Sequence, residues 1–202
     1  MSSLAVAIDR GDLNRARYFL LHGSDPNEDD YTQDLPLHLA ALKDNVAMIE
    51  LVLEHGADID VLDGEGNSAL HLALQFHDDS AARFLIQAGA DVNTINEDGD
   101  TPLHEAGHIA PELVLELLQA GADPTVRDFK SRRPSEMVGN ERVSKLLREY
   151  EELWERGWSP ERHHLMQEQE RLERLALINT LRHRRPDLPF LPPEIVYSAL
   201  EY

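Results

Sequence analysis

Cysteine is absent from the 202-residue chain, which excludes disulfides, thiolate nucleophiles and cysteine-ligated zinc. No apolar run approaches the roughly 18 residues that a membrane span requires. The opening MSSLAVAIDRGD is short and turns acidic too soon for a signal peptide. Hydrophobic and charged fractions of 42% and 28% suit a soluble globular chain. An intracellular protein, cytoplasmic or nuclear, is therefore expected. Glycine-rich phosphate loops are missing, and no serine or lysine stands in a recognisable nucleophilic setting.

Basic residues are scarce over the first part of the chain. Residues 1–126 hold 24 Asp and Glu against 5 Lys and Arg, a net charge of −19, whereas residues 127–202 hold 14 of each. Such a polyanion repels phosphate backbones, so nucleic acid is not expected as a partner. The same field attracts a protein with a basic surface.

The chain does possess a repeat. Leu35-Pro-Leu-His-Leu-Ala40, Ser68-Ala-Leu-His-Leu-Ala73 and Thr101-Pro-Leu-His-Glu-Ala106 start 33 residues apart. A second series, Gly23-Ser-Asp25, Gly56-Ala-Asp58, Gly89-Ala-Asp91 and Gly121-Ala-Asp123, keeps the same phase with steps of 33, 33 and 32. Two motifs marching together at one period mark a repeat architecture. Pro36 and Pro102 sit where a first helical turn begins and no N–H is needed. Apolar-periodic runs follow, Val46 to Leu53 and Ala81 to Ile86, and each ends at a glycine suited to a left-handed cap. Asp- and Gly-rich stretches such as 58–67 suit projecting turns.

These motifs resemble those of the ankyrin-repeat family over roughly residues 4–150. The resemblance implies an all-α ankyrin-repeat solenoid of L-shaped units, each with two antiparallel helices and a hairpin-like finger. It implies about three full repeats between two capping repeats. Residues 4–27 keep both helices without a leading finger. Residues 128–150 keep a second helix, Arg142 to Tyr150, and Arg133-Pro-Ser-Glu-Met137 replaces the TPLH stretch. A repeat domain over residues 1–150 and a C-terminal helical extension over residues 151–202 follow. Asp44 and His77 replace the usual inter-helix glycine, and a residue is missing near His108–Pro111, so distorted turns are expected there.

Ten histidines in an acidic chain raise the question of metal binding. His38, His71 and His104 recur once per repeat, so they stand along the stack instead of converging. In the family this histidine bonds the finger backbone of the neighbouring unit. His22 and His55 precede cap glycines, where an imidazolium favours a helix C-terminus. His163 and His164 are adjacent and diverge by about 100° on a helix. The acidic fingers lack the Asp-x-Asp-x-Asp-Gly run and the closing Glu of a calcium loop. No metal, cofactor or enzymatic activity is expected.

The resemblance implies partner contacts at finger tips and on the exposed face of each first helix. The matching positions are Asp29, Tyr31, Thr32, Asp34, Leu42 and Lys43, then Leu62, Glu65, Asn67, Gln75 and Phe76. Ile95, Glu97, Asp98, Asp100 and His108 follow, and the last finger supplies Arg127, Phe129, Lys130 and Arg132. Apolar anchors within a charged rim resemble a protein interface. The change of sign over 127–133 suggests a groove acidic at one end and basic at the other. A monomer is expected.

Beyond residue 150 the 33-residue period ends. Trp154, Trp158 and Pro160 open a new stretch. Leu165 to Arg185 reads as an amphipathic helix, and Pro186, Pro189, Pro192 and Pro193 break it. Leu191-Pro-Pro-Glu-Ile195 with Ala199-Leu200 resembles the opening of an F-box, truncated as in certain poxvirus and protist ankyrin proteins. On that reading Leu191, Pro192, Ile195, Val196 and Leu200 would contact a Skp-type adaptor. Leu172-Glu-Arg-Leu175-Ala176 resembles the elongin-contacting helix of a SOCS box, although Ala176 stands where cysteine is usual. Either resemblance implies a substrate receptor of a cullin-type ubiquitin ligase. The third reading is a helical cap on the last repeat of a stand-alone scaffold or inhibitor.

Overall fold

A computed structural model of the chain describes residues 3–28, 35–75, 79–105 and 111–155, with side chains of the last stretch from residue 113. Ten helices stand in these segments: α1 (Ser3–Asp9), α2 (Leu13–Leu21), α3 (Pro36–Leu42), α4 (Val46–Glu54), α5 (Ala69–Gln75), α6 (Asp79–Gln87), α7 (Pro102–Glu105), α8 (Pro111–Gln119), α9 (Pro134–Met137) and α10 (Glu141–Glu155). The odd-numbered helices each contact the next odd-numbered one, and the even-numbered helices do the same. Two layers of stacked helices result, an all-α solenoid within the compact unit Met1–Gly157. The one β-bridge among the described residues joins Leu62 to Ser68 inside a finger.

The helices form where the sequence places apolar residues at helical spacing and short polar residues at their ends. Asp12 Oδ1 accepts the Arg15 N–H at 3.0 Å, and Asn45 Oδ1 accepts the Met48 N–H at 3.1 Å, each capping a second helix. Pro36 occupies the first turn of α3, where its missing donor costs nothing. Leu37, Leu70 and Leu103 recur one repeat apart and are no more than 1% exposed. Burying a leucine so fully contributes roughly 1.5–3 kcal/mol. Ala40 and Ala73, also fully buried, let neighbouring first helices approach closely. Helices α2, α4, α6 and α8 each end at a glycine with positive φ, at Gly23, Gly56, Gly89 and Gly121. The rings of His22 and His55 donate from Nδ1 to the carbonyls of Tyr18 and Leu51, at 2.7 and 2.8 Å, so these histidines tie off the helix ends.

Two details depart from the sequence reading. The α3–α4 turn is not distorted by losing its glycine: Asp44 itself takes a left-handed φ of 48°, which aspartate tolerates. Its Oδ1 then accepts the Ala81 N–H at 2.6 Å, joining one repeat to the next. The last helix also does not stop at Tyr150 but continues to Glu155. Arg133 holds the added turn, with Nη1 and Nη2 each 3.0 Å from Glu151 and Glu155 respectively. The turn at His77, the short stretch near His108 and all residues beyond 155 lie outside the described residues.

Candidate protein-binding surface

Three fingers are built alike. Asp63 Oδ1 accepts the N–H groups of Glu65 and Asn67 at 2.9 and 2.8 Å. Asn96 does the same for Asp98 and Asp100 at 3.0 and 2.9 Å, and Asp128 for Lys130 and Arg132 at 2.9 and 2.7 Å. One short acceptor side chain thus folds each hairpin by taking donors two and four residues on. Burial pushes the Asp128 carboxyl up, but the Arg132 and Lys130 N–H groups and the Arg132 guanidinium outweigh it. The net effect holds Asp128 below the usual carboxylate range.

The repeating histidine clamps each finger to the helix before it. His38, His71 and His104 donate from Nε2 to the carbonyls of Asn67, Asp100 and Arg132, at 2.9, 3.1 and 3.2 Å. His71 Nδ1 accepts from the Ser68 N–H, and His104 Nδ1 accepts from the Thr101 N–H. An N–H can only donate, so the imidazole proton sits on Nε2 in both rings. Burial lowers the His71 pKa to about 4 and also lowers that of His104, so both rings are neutral. These are structural clamps, and among the described residues no cluster of His, Asp or Glu is arranged to hold a metal ion.

Fingers also lock to one another. The Glu97 N–H donates to the Glu65 carbonyl at 3.0 Å, and the Phe129 N–H donates to the Asp98 carbonyl at 3.1 Å. A methyl group on Gly99 would lie 2.7 Å from the Phe129 nitrogen, so glycine there is what permits the last finger to stack. A further ladder runs below the fingers. Asn27 Oδ1, Asp60 Oδ1 and Asn93 Oδ1 accept the N–H groups of Asp58, Asp91 and Asp123 at 2.8, 2.7 and 2.8 Å. Sequence reasoning missed this ladder, although its signal was present as Asn or Asp at steps of 33 residues.

Against this frame the candidate contact residues separate. Leu62, Ile95 and Phe129 are 45%, 51% and 76% exposed. Leu62 and Ile95 occupy equivalent places one repeat apart. Glu65, Gln75, Glu97, Asp98, Arg127 and Lys130 are exposed too. Leu42 is half-buried, and Lys43 lies 3.0 Å from Asp9 in an exposed pair of small energetic weight. Asp29, Tyr31, Thr32, Asp34, Phe76 and His108 lie outside the described residues.

Asn67 and Asp100 leave the exposed set. Both are only 8% exposed. Each lies where its carbonyl meets the clamping histidine, and Asn67 Oδ1 further accepts from Asn96 Nδ2 at 2.9 Å. Burial raises the Asp100 pKa, and burial followed by the charges of Asp100 and Asp98 raises that of Glu105. The basic end of the groove is corrected as well. Arg132 is bound to Asp128 at 2.6 Å, Arg133 to Glu151 and Glu155, and Arg127 donates to the Ser131 carbonyl at 2.6 Å. Arg132 and Arg133 are thus neutralised by the fold, while Arg127, exposed and 3.8 Å from Glu136, and Lys130 remain as the accessible cations of the last finger.

Helix pairs stacked in two layers, with hairpin fingers clamped across the repeats, define a repeat scaffold of the kind that binds other proteins. A family model describing three consecutive ankyrin repeats matches residues 4–96 and 65–128. The chain belongs to the ankyrin-repeat family, and its repeats form a protein–protein interaction module. Members of this family are typically binding scaffolds without enzymatic activity. No curated protein matches the chain. Among the described residues no helix is long and apolar enough to cross a membrane.

Proposed function

We propose that the repeats hold a protein partner with a basic surface through the finger tips. One observation carries this reading: Leu62, Ile95 and Phe129 stay exposed on fingers whose backbones are fixed, beside the exposed carboxylates of Glu65, Glu97 and Asp98. Fixed fingers lose little conformational entropy on binding, and apolar anchors inside a charged rim suit a basic protein surface. The test is the triple variant Leu62→Ala, Ile95→Ala and Phe129→Ala against a partner isolated with the native chain. Affinity should fall at least a hundredfold while thermal stability stays within about 1 kcal/mol, since exposed side chains contribute little to folding. Undiminished binding would remove the fingers from the interface.

The tail extends this reading. Leu191-Pro192-Pro193-Glu194-Ile195 resembles an F-box opening, and Leu172 to Ala176 resembles a SOCS-box helix. Both support a substrate receptor that hands its cargo to a cullin-type ubiquitin ligase, through a Skp-type or an elongin-type adaptor. The proposed adaptor contacts, Leu191, Pro192, Ile195, Val196 and Leu200, lie outside the described residues. Purified adaptors should be retained by the full chain and lost on truncation after Gly157, a cut that spares α10. Retention of neither adaptor returns the protein to a stand-alone scaffold or inhibitor.

A further inference from the structure

The even-numbered helices form the more exposed, outer layer of the stack, which carries a depression that the finger-tip reading does not use. It lies between α4 and α6, is open to solvent and encloses about 550 Å³. Leu53, Ile59 and Phe84, all half-buried, form its apolar lining, and Ala88 is exposed at its edge. Ala57 and the carboxylates Glu50, Glu54 and Asp58 complete the wall. These three carboxylates are exposed, and none forms an ion pair with another described residue. The next pair of outer helices differs. There Arg83 of α6 lies 3.2 Å from Glu116 of α8, so that junction supplies its own cation.

An apolar floor beside three carboxylates that lack a cationic partner among the described residues, of which Asp58 also accepts the Asp60 N–H at 3.1 Å, is complementary to an apolar side chain flanked by cations. The volume falls within the roughly 300–1,000 Å³ of ligand-binding clefts, which suits a pair of side chains and not a whole helix. Arginine and lysine add to the fit, because their methylene stems lie on apolar surface while their charged ends reach the rim. We propose that this notch is a second docking site. Its occupant is a short segment of a partner protein, presenting a leucine- or phenylalanine-sized side chain between arginines or lysines. The site is on the outer-helix layer and does not depend on the finger-tip reading.

The test is an NMR titration of the full chain with an acetylated hexapeptide of alternating arginine and leucine, with hexa-arginine as the control. The alternating peptide should shift the amides of Leu53, Ile59 and Ala88 saturably and bind at least tenfold tighter than hexa-arginine. Ala88→Trp, which fills the notch from an exposed position, should weaken binding at least tenfold. The double variant Glu50→Gln with Glu54→Gln gives an independent readout if the tryptophan variant folds poorly, and should also weaken binding. Equal affinity for hexa-arginine would reduce the effect to diffuse acidity and overturn the proposal. So would shifts confined to Leu62, Ile95 and Phe129, or undiminished binding in the carboxylate variant.

Discussion

Replacing His71 with glutamine tests whether the clamp between repeats is a neutral, buried imidazole. The ring is 1% exposed, donates to the Asp100 carbonyl at 3.1 Å and accepts the Ser68 N–H at 3.2 Å. Burial lowers its pKa from 6.5 to about 4, against the opposing pull of the Asp100 carbonyl and the Asp63 charge, while His104 and His38 add to the lowering. Between those values the unfolded chain binds more protons than the folded one. Stability from this residue is therefore complete above pH 6.5 and drains away as the pH falls toward 4. At 1.36 kcal/mol per pH unit, the full effect is roughly 3 kcal/mol. Glutamine can still donate to Asp100 but cannot titrate in this range, and losing the acceptor for Ser68 should cost about 1–3 kcal/mol near neutral pH. Urea unfolding followed by far-UV circular dichroism, from neutral pH down to about pH 4.5, measures both chains. Net-charge effects are nearly common to both, so the quantity to read is the gap between them. The native chain's advantage should fall steadily with acidification and change sign if the neutral-pH cost is below roughly 2–3 kcal/mol. A constant gap would mean that His71 titrates alike in both states, and the buried-clamp account would be wrong.

Three further outcomes are expected. Asn27 and Asn93 each donate from Nδ2 to the Gly56 and Gly121 carbonyls at 3.0 and 2.9 Å, whereas Asp60, one repeat away from both, has no such donor. Asp60→Asn should gain about 0.5–1.5 kcal/mol, and a lowered melting temperature would contradict the ladder's role. Gly99→Ala should cost at least about 1 kcal/mol more than Gly89→Ala. Both glycines have positive φ, but only Gly99 would press its new methyl on the Phe129 nitrogen, so equal thermal shifts would discount finger packing. Converting Asp25, Asp58, Asp91 and Asp123 together to Asn keeps an acceptor at each turn and removes repulsion. Relative stability should rise at low salt and lose that gain near 1 M, where the Debye length is about 3 Å; a loss above about 2 kcal/mol at both salts would show that the turns need charge.

The repeat and its helices were legible because both rest on periodicity. The TPLH series fixed the first helices and the Gly-x-Asp series their partners' ends, and these survive even where Asp44 replaces a glycine. The contact surface was less legible. A position's place in the repeat told which residues reach the finger, but Asn67 and Asp100 turn inward because their carbonyls must meet His38 and His71. The basic segment misled for a related reason. Arg132 and Arg133 are close in sequence to Asp128 but far from Glu151 and Glu155, and only the fold shows that α10 brings those last two carboxylates to Arg133. Charge counted along a chain cannot distinguish a free cation from one neutralised across a turn.

The acidity itself divides in the same way. Asp12, Asp25, Asp44, Asp58, Asp63, Asp91 and Asp123 each accept a backbone N–H from a nearby turn or an adjacent repeat. Asn27, Asn45, Asn93 and Asn96 fill the same kind of place elsewhere. The turns thus need a short acceptor, and the charge that comes with aspartate is additional to what folding requires. Its reach is limited. Stacked helices stand about 8–10 Å apart, comparable to the Debye length of about 8 Å at physiological salt. A partner at one finger therefore feels its own repeat and its neighbours more than the ends of the stack. With Arg132 and Asp128 cancelling at the last finger, a basic surface should register most strongly where Glu65, Glu97 and Asp98 stand beside Leu62 and Ile95.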